Sequence, residues 1–60
     1  MYRLFANIEY KNGDFERRVL NDFIHQRDGE DILKIHKAHW DTNKDQYEKV
    51  KGLTFELVAW

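Results

Sequence analysis

Polar and apolar residues alternate over the first ten positions of the chain. Every even position from 2 to 10 is aliphatic or aromatic, so one face of an extended strand would be continuously hydrophobic. The opposite face would carry Arg3, Phe5, Asn7 and Glu9. This period of two, in residue types that favour strands, predicts a half-buried strand over residues 2–10. The Asn12-Gly13 pair that follows is a strong turn signal, because both residues tolerate positive φ.

The last eight residues, 53–60, form the most apolar run in the sequence. The odd positions from 53 to 59 are all apolar and would point to one side of a strand, whereas the other side mixes polar residues with Val58 and Trp60. Chain ends normally fray unless tertiary contacts hold them. A terminal segment this hydrophobic therefore predicts a strand that is inserted into a sheet, covered on one side and partly covered on the other.

Residues 14–27 fit two structures, of which the first is a helix. Asp14 is a good N-cap for such a helix, and Gly29 could end it, because glycine is favoured just after the last helical residue. Between them, apolar residues recur at helical spacing and would form one face of an amphipathic helix. These apolar residues are Phe15, Val19, Leu20, Phe23 and Ile24.

The second structure for this segment is the return strand of a hairpin, over residues 14–20. Direct pairing across an Asn12-Gly13 turn would set Tyr10 against Phe15, which is favourable. It would also set Glu9 against Glu16, and like charges on opposite strands destabilise a sheet. We therefore predict a helix, with the hairpin as the alternative.

Residues 30–40 are similarly ambiguous. A helix would bring His36 and His39 to one side, whereas a strand would send them to opposite faces. Glu30 and Asp31 suit a helix N-terminus, where the helix dipole favours acidic side chains. A third extended segment, however, would stabilise a sheet that already holds the two terminal strands, since a two-stranded sheet is marginal. We predict a strand here.

These elements define the expected fold. Residues 41–52 are almost wholly polar and are interpreted as a solvated loop or as a short second helix near 43–51. The sequence thus predicts a single small globular domain over residues 1–60, of the α+β class and with the order β-α-β-β. Its core element would be a small three-stranded mixed or antiparallel sheet with one covering helix.

Composition restricts the function more than it defines it. Ten Lys and Arg against eleven Asp and Glu give a net charge of −1, which disfavours nonspecific binding to nucleic acid. The chain has no cysteine, so it forms no disulfide, and this fits a reducing compartment. No apolar run approaches a membrane span, and residues 1–7 do not resemble a signal peptide. We expect a cytoplasmic protein with no membrane partner.

Candidate chemistry is sparse, and we expect no enzymatic activity and no cofactor. Serine and cysteine are absent, and neither Thr42 nor Thr54 has a context that would activate a nucleophile. The three glycines are isolated and do not form a phosphate-binding loop. His36 and His39 could share a metal ion if they lie on a helix, but no cysteine supports such a site, and surface histidines are the simpler interpretation.

Binding is the remaining class of function. Two Trp, three Tyr and four Phe are more rings than one helix can cover on both faces of a small sheet, and exposed aromatic surface often marks a partner site. We predict a non-enzymatic module that binds another protein or itself, as a homodimer, in the manner of a regulator or accessory factor of phage or mobile-element type. The candidate interface residues are Trp40, Trp60, Phe5, Tyr2 and Tyr47.

The alternative function is that of a nucleic-acid-binding regulator. Basic side chains next to exposed aromatic rings can hold a single strand by charge and stacking. The residues that would serve this purpose are Arg17, Arg18, Lys34 and Lys37.

Overall fold

A three-stranded antiparallel sheet with one helix packed on it makes up the structure, a computed structural model that describes all 60 residues. The strands are β1 (Tyr2–Tyr10), β2 (Phe15–Phe23) and β3 (Val50–Ala59), and the helix is α1 (Gln26–Asn43). β1 lies in the centre of the sheet, between β2 and β3, and runs antiparallel to both. The predicted α+β class, with three strands and one covering helix, is confirmed. The sheet is antiparallel rather than mixed.

The order of the two middle elements is a correction to the sequence prediction, because the chain runs β-β-α-β rather than β-α-β-β. Residues 15–23 form a strand instead of a helix. Leu4 pairs with Asn21 whereas Phe5 pairs with Val19, so Leu20 is an extra residue in β2, a β-bulge. The bulge changes which side the following residues face, and this gives β2 an apolar spacing that resembles the spacing on a helix.

The turn between β1 and β2 avoids the pairing of Glu9 with Glu16 that argued against a hairpin. The Gly13 N–H donates to the Tyr10 carbonyl at 3.0 Å, and the Tyr10 N–H donates to the Asp14 carbonyl at 2.9 Å. This is a three-residue loop with Gly13 at φ +94°, not a two-residue turn. The added loop residue shifts the register by one, so Glu9 lies opposite Phe15 and is not set against another carboxylate.

Residues 30–40, predicted as a strand, lie within α1. The residues that face the sheet are Gly29, Ile32, Leu33, His36 and Trp40, which recur at helical spacing and are buried or half-buried. Gly29 does not end a helix as predicted; it lies in the first turn of α1 and is buried there. A Cβ at this position would lie 2.7 Å from a methyl carbon of Leu57, so glycine permits close contact between helix and sheet.

The segment after α1 contains only one short helical element. Lys44–Gln46 form a single 3₁₀ turn, where the sequence allowed a short helix over 43–51 or a solvated loop. Residues 47–49 then lead into β3, which begins at Val50 and so starts three residues earlier than the apolar run at 53–60. α1 itself does not combine the length and the apolar character that crossing a lipid bilayer requires.

The core consists of three side chains on one face of the central strand. Leu4, Ala6 and Ile8 are buried between the sheet and α1, and Leu4 has no exposed surface.

Hydrogen bonds between Met1 and Trp60 join the two chain ends beside the paired strands β1 and β3. The Met1 ammonium donates to the Trp60 carbonyl at 3.1 Å, and the Trp60 N–H donates to the Met1 carbonyl at 2.9 Å. These bonds hold the terminal residues in the sheet, where ends would otherwise fray.

Truncation of Leu4, the fully buried core residue, should unfold a large fraction of the protein. A core of this size supplies about 3–5 kcal/mol of net stability, and Leu4→Ala should remove about 2–5 kcal/mol. Ile35→Ala is the matched control, because Ile35 is 62 % exposed on α1 and should change stability by no more than about 0.5 kcal/mol. Urea unfolding followed by circular dichroism measures both. Equal losses in the two variants would contradict the assignment of the core.

The two glycines outside α1, Gly13 and Gly52, should respond differently to alanine. Gly13→Ala forces a side chain into the left-handed region at φ +94° and should cost about 1 kcal/mol. Gly52→Ala, in β3, meets no atom within 4 Å and has no positive φ, so it should be neutral or slightly stabilising. Thermal unfolding compares the two variants, and a larger loss at Gly52 than at Gly13 would refute the loop geometry.

Candidate functional site

The face of the sheet opposite α1 has no covering element and presents large apolar side chains. We call it the open sheet face. Phe15 is 66 % exposed, Val19 52 % and Trp60 65 %, and Phe5 and Val58 between them are half-buried. The strand register places these residues on one side, because Phe5 lies opposite Val19 and Arg3 lies opposite Val58. The open sheet face is thus an apolar surface that the chain itself leaves in water.

Charged groups on the open sheet face are joined in pairs. Arg3 donates from Nε and Nη2 to the two carboxylate oxygens of Asp22, at 2.8 and 3.0 Å. Arg17 donates to Glu56 at 2.8 Å and spans from β2 to β3 across the central strand. Both guanidinium groups also lie over aromatic rings, Arg17 at 3.9 Å from the Phe5 ring centre and Arg3 at 4.9 Å from the Trp60 ring centre.

These contacts orient each arginine and neutralise its charge. The hydrogen bonds from Arg3 stabilise the charged form of Asp22, which lowers the pKa of that carboxyl below its usual value. The same contact raises the pKa of Arg3. A third pair, Lys51 with Glu9 at 3.4 Å, lies near the hairpin end of the sheet. The open sheet face therefore alternates positive and negative groups among its apolar ones.

A second recess lies on the other side of the sheet, next to the helix. It is a cleft of about 390 Å³ lined by the C-terminal half of α1, by Tyr47 and by residues of all three strands, and we call it the aromatic cleft. Trp40 and Tyr47 form one wall, with ring centres 5.6 Å apart and planes inclined at 53°. His36 stacks on Phe55 at 5.5 Å beside them. Leu20, on β2, is among the residues that line it.

One hydrogen-bonded group lies on β1 and β2 at this cleft. The Tyr10 hydroxyl donates to Glu16 Oε1 at 2.9 Å, while Arg18 donates from Nε and Nη2 to Glu16 Oε2 at 2.9 and 2.6 Å. The bonds from Tyr10 and then Arg18 lower the pKa of Glu16. Stabilisation of the protonated phenol by Glu16 raises the pKa of Tyr10. Tyr10 and Arg18 both line the aromatic cleft, and Glu16 holds them in place.

The predicted interface residues are divided between the two sides of the sheet. Trp60 and Phe5 lie on the open sheet face, whereas Trp40 and Tyr47 line the aromatic cleft. Tyr2 lies half-buried on the helix side, opposite Phe23 and Ala59. The five residues therefore do not form one surface.

Sequence reasoning missed Phe15 and Val19, the two apolar residues that β2 adds to the open sheet face. It assigned them to the buried face of a helix. The alternation of Phe15, Arg17 and Val19 directly after a turn was the signal that could have located them. It also missed the role of Arg18 at the aromatic cleft, which only the strand assignment places next to Tyr10.

The residues of the nucleic-acid alternative lie on separate surfaces. Arg17 is on the open sheet face, Arg18 is on the opposite face of the same strand, and Lys34 and Lys37 are exposed on α1. His36 and His39 both lie on α1 and line the aromatic cleft. No group of three or more His, Cys, Asp or Glu side chains is arranged to hold a metal ion.

Comparison of the chain with known protein families, with curated proteins and with solved structures gives no match. We therefore base the functional proposals on the two surfaces described above, the open sheet face and the aromatic cleft.

Acid should weaken the fold through Asp22 and Glu16. Because their pKa values are lowered in the folded protein, the stability they contribute is present above the ordinary carboxyl range and is lost as the pH falls through the lowered values. We expect the free energy of unfolding to decline below about pH 4.5. Asp22→Asn should show a shallower decline than the wild type, and Asp45→Asn, which removes no ion pair, should not. Urea unfolding at pH 2.5–7 measures the profiles; parallel curves for wild type and Asp22→Asn would contradict the assignment.

Proposed function

We propose that this protein is a non-enzymatic binding module and that its open sheet face binds a second copy of the same chain. The single observation that carries the proposal is the absence of any covering element over Phe5, Phe15, Val19, Val58 and Trp60. An apolar surface of this kind is costly to leave in water and is typical of a site that a partner covers.

The solvent-accessible area of the chain is larger than expected for a compact monomer, which supports the proposal that a partner covers part of it. The chain exposes 4659 Å², whereas a compact monomer of this mass exposes about 4,200 Å². The excess of roughly a tenth arises because one helix covers only one face of the sheet. Association through the open sheet face would bury surface that the isolated chain cannot cover.

The dimensions of the sheet face match those of a stable dimer interface. The Cα atoms extend over 35 × 22 × 10 Å, so the molecule is a thin slab with one broad uncovered side. That side approaches the ~800 Å² per partner of a standard interface. Two such slabs packed sheet to sheet would form a layered dimer with the helices outside and the apolar rings between the sheets.

The charge pattern favours a second copy as the partner. Arg3, Arg17 and Lys51 alternate with Asp22, Glu9 and Glu56 on this face, so it is nearly neutral and carries both signs. A face that is nearly neutral can meet a copy of itself in a two-fold arrangement without net repulsion between like charges. Nucleic acid needs unpaired cations on one surface, and the arginines of this face are already paired with carboxylates. The geometry thus favours self-association over the nucleic-acid alternative.

The cellular setting is part of the same proposal. A chain without cysteine suits a reducing compartment, and we place the module in the cytoplasm as a regulator or accessory factor. Its activity would lie in the assembly it forms rather than in a reaction it catalyses.

Light scattering coupled to gel filtration tests the proposal. We expect a wild-type mass of twice 7.4 kDa at micromolar to millimolar concentration. Phe15→Lys and Trp60→Glu place charge at the interface and should each weaken the dimer by roughly tenfold or more, because buried aromatic anchors contribute most of the binding energy. Both positions are largely exposed, so the monomer should still fold.

The matched control is Ile35→Lys, which changes an equally exposed apolar residue on the outer side of α1. This variant should keep the dimer mass. A wild type that stays monomeric at millimolar concentration would refute self-association. So would a dimer that Ile35→Lys disrupts and the two sheet-face variants do not.

A further inference from the structure

We infer that the aromatic cleft binds a small molecule that combines a planar aromatic ring with an acidic group, as an aromatic carboxylate does. The cleft lies on the helix side of the sheet and does not overlap the open sheet face. The inference therefore does not rest on self-association, and the failure of one leaves the other standing.

The cleft follows from the way α1 lies on the sheet. At the N-terminal end, Gly29 allows the helix to approach Leu57 and Phe23 closely. Towards the C-terminal end, the ring of His36 stacks on Phe55 of β3, whereas the ring of Trp40 packs against Tyr47, which lies outside the sheet. The result is a gap between this part of α1 and the sheet, lined by residues of all three strands.

The walls of the gap suit a flat ring. Trp40, Tyr47 and Tyr10 present aromatic surfaces, and the remaining lining includes aliphatic side chains such as Ile8, Leu20 and Leu53. Aromatic rings pack against one another in offset or inclined arrangements with centres about 4.5–7 Å apart. The volume of about 390 Å³ lies near the lower end of the range for small-molecule sites, roughly 300–1,000 Å³. The cleft thus has room for one or two fused rings.

The polar lining selects an acidic group. Although the chain has eleven Asp and Glu residues, none of them lines the cleft, whereas Arg18, His36 and His39 do. Glu16 holds Arg18 through Nε and Nη2 and leaves Nη1 without a protein partner. A carboxylate bound beside Tyr47 and Trp40 could accept hydrogen bonds from this free edge of the guanidinium group. Glu16 thus acts as a positioning residue for Arg18.

Titration with 2-naphthoate, followed by ¹⁵N NMR, tests the inference on the intact chain. We expect saturable shifts at residues of the cleft, Arg18, Leu20 and Trp40, and none at Phe15 or Trp60 on the other side of the sheet. The neutral isostere 2-naphthamide should bind roughly tenfold more weakly, because it lacks the charge that Arg18 recognises.

Two neighbouring arginines supply a matched pair of variants. Arg18→Gln should weaken 2-naphthoate binding by roughly tenfold, whereas Arg17→Gln, on the opposite face of the same strand, should leave it unchanged. Leu20→Trp should fill the cleft and abolish binding, with circular dichroism confirming that the variant is folded. The inference fails if millimolar 2-naphthoate causes no shifts in the cleft, if 2-naphthamide binds equally well, or if both arginine variants weaken binding alike.

Discussion

One row of three side chains on one face of β1 provides the buried hydrophobic core. Leu4, Ala6 and Ile8 lie beneath α1, with β2 and β3 on either side of them. A chain of this length buries only ~60 % of the surface that it exposes when unfolded, so a single helix over a single row of side chains is close to the smallest arrangement that folds. The rest of the structure depends on this one-sided cover, because none of the elements of the structure lies over the second face of the sheet.

The open sheet face and the aromatic cleft both arise because the chain has only one helix to cover a three-stranded sheet. The sheet is one strand layer thick, and successive residues of a strand point to opposite sides of it. Arg17 therefore lies on the open sheet face while Arg18, its neighbour, lies at the aromatic cleft. The two surfaces are separate in space although they share the strand β2. A partner on one side need not compete with a ligand on the other.

The ion pairs of the open sheet face are better suited to recognition than to stability. The Arg3 and Asp22 side chains are 37 % and 35 % exposed, and a pair at that exposure contributes at most about 1 kcal/mol to folding, enough to alter the pH profile of stability but small beside the hydrophobic core. They do fix where each charge lies, as the bidentate geometry of Arg3 and the contact between Arg17 and Phe5 illustrate. Fixed charges of alternating sign determine which surfaces can approach and in which orientation. Their contribution to a complex would be selectivity, with the apolar rings supplying most of the affinity.

The sequence by itself determined the two terminal strands, the turn at Asn12-Gly13 and the α+β class. These features come from local alternation, turn chemistry and apolar content, all of which act over a few residues. It also indicated that the aromatic residues outnumber what one helix can cover. It did not determine how those residues divide between two surfaces.

Tertiary structure alone decided which middle segment forms the helix. The bulge at Leu20 mixes strand and helix periodicity in β2, and the three-residue loop sets a register that local pairing rules did not predict. Gly29, which signals a helix end in isolation, lies inside α1 because the sheet beneath it requires close approach at that point. In each case a contact between residues distant in sequence outweighed a local preference, since local propensities differ by only about 1 kcal/mol.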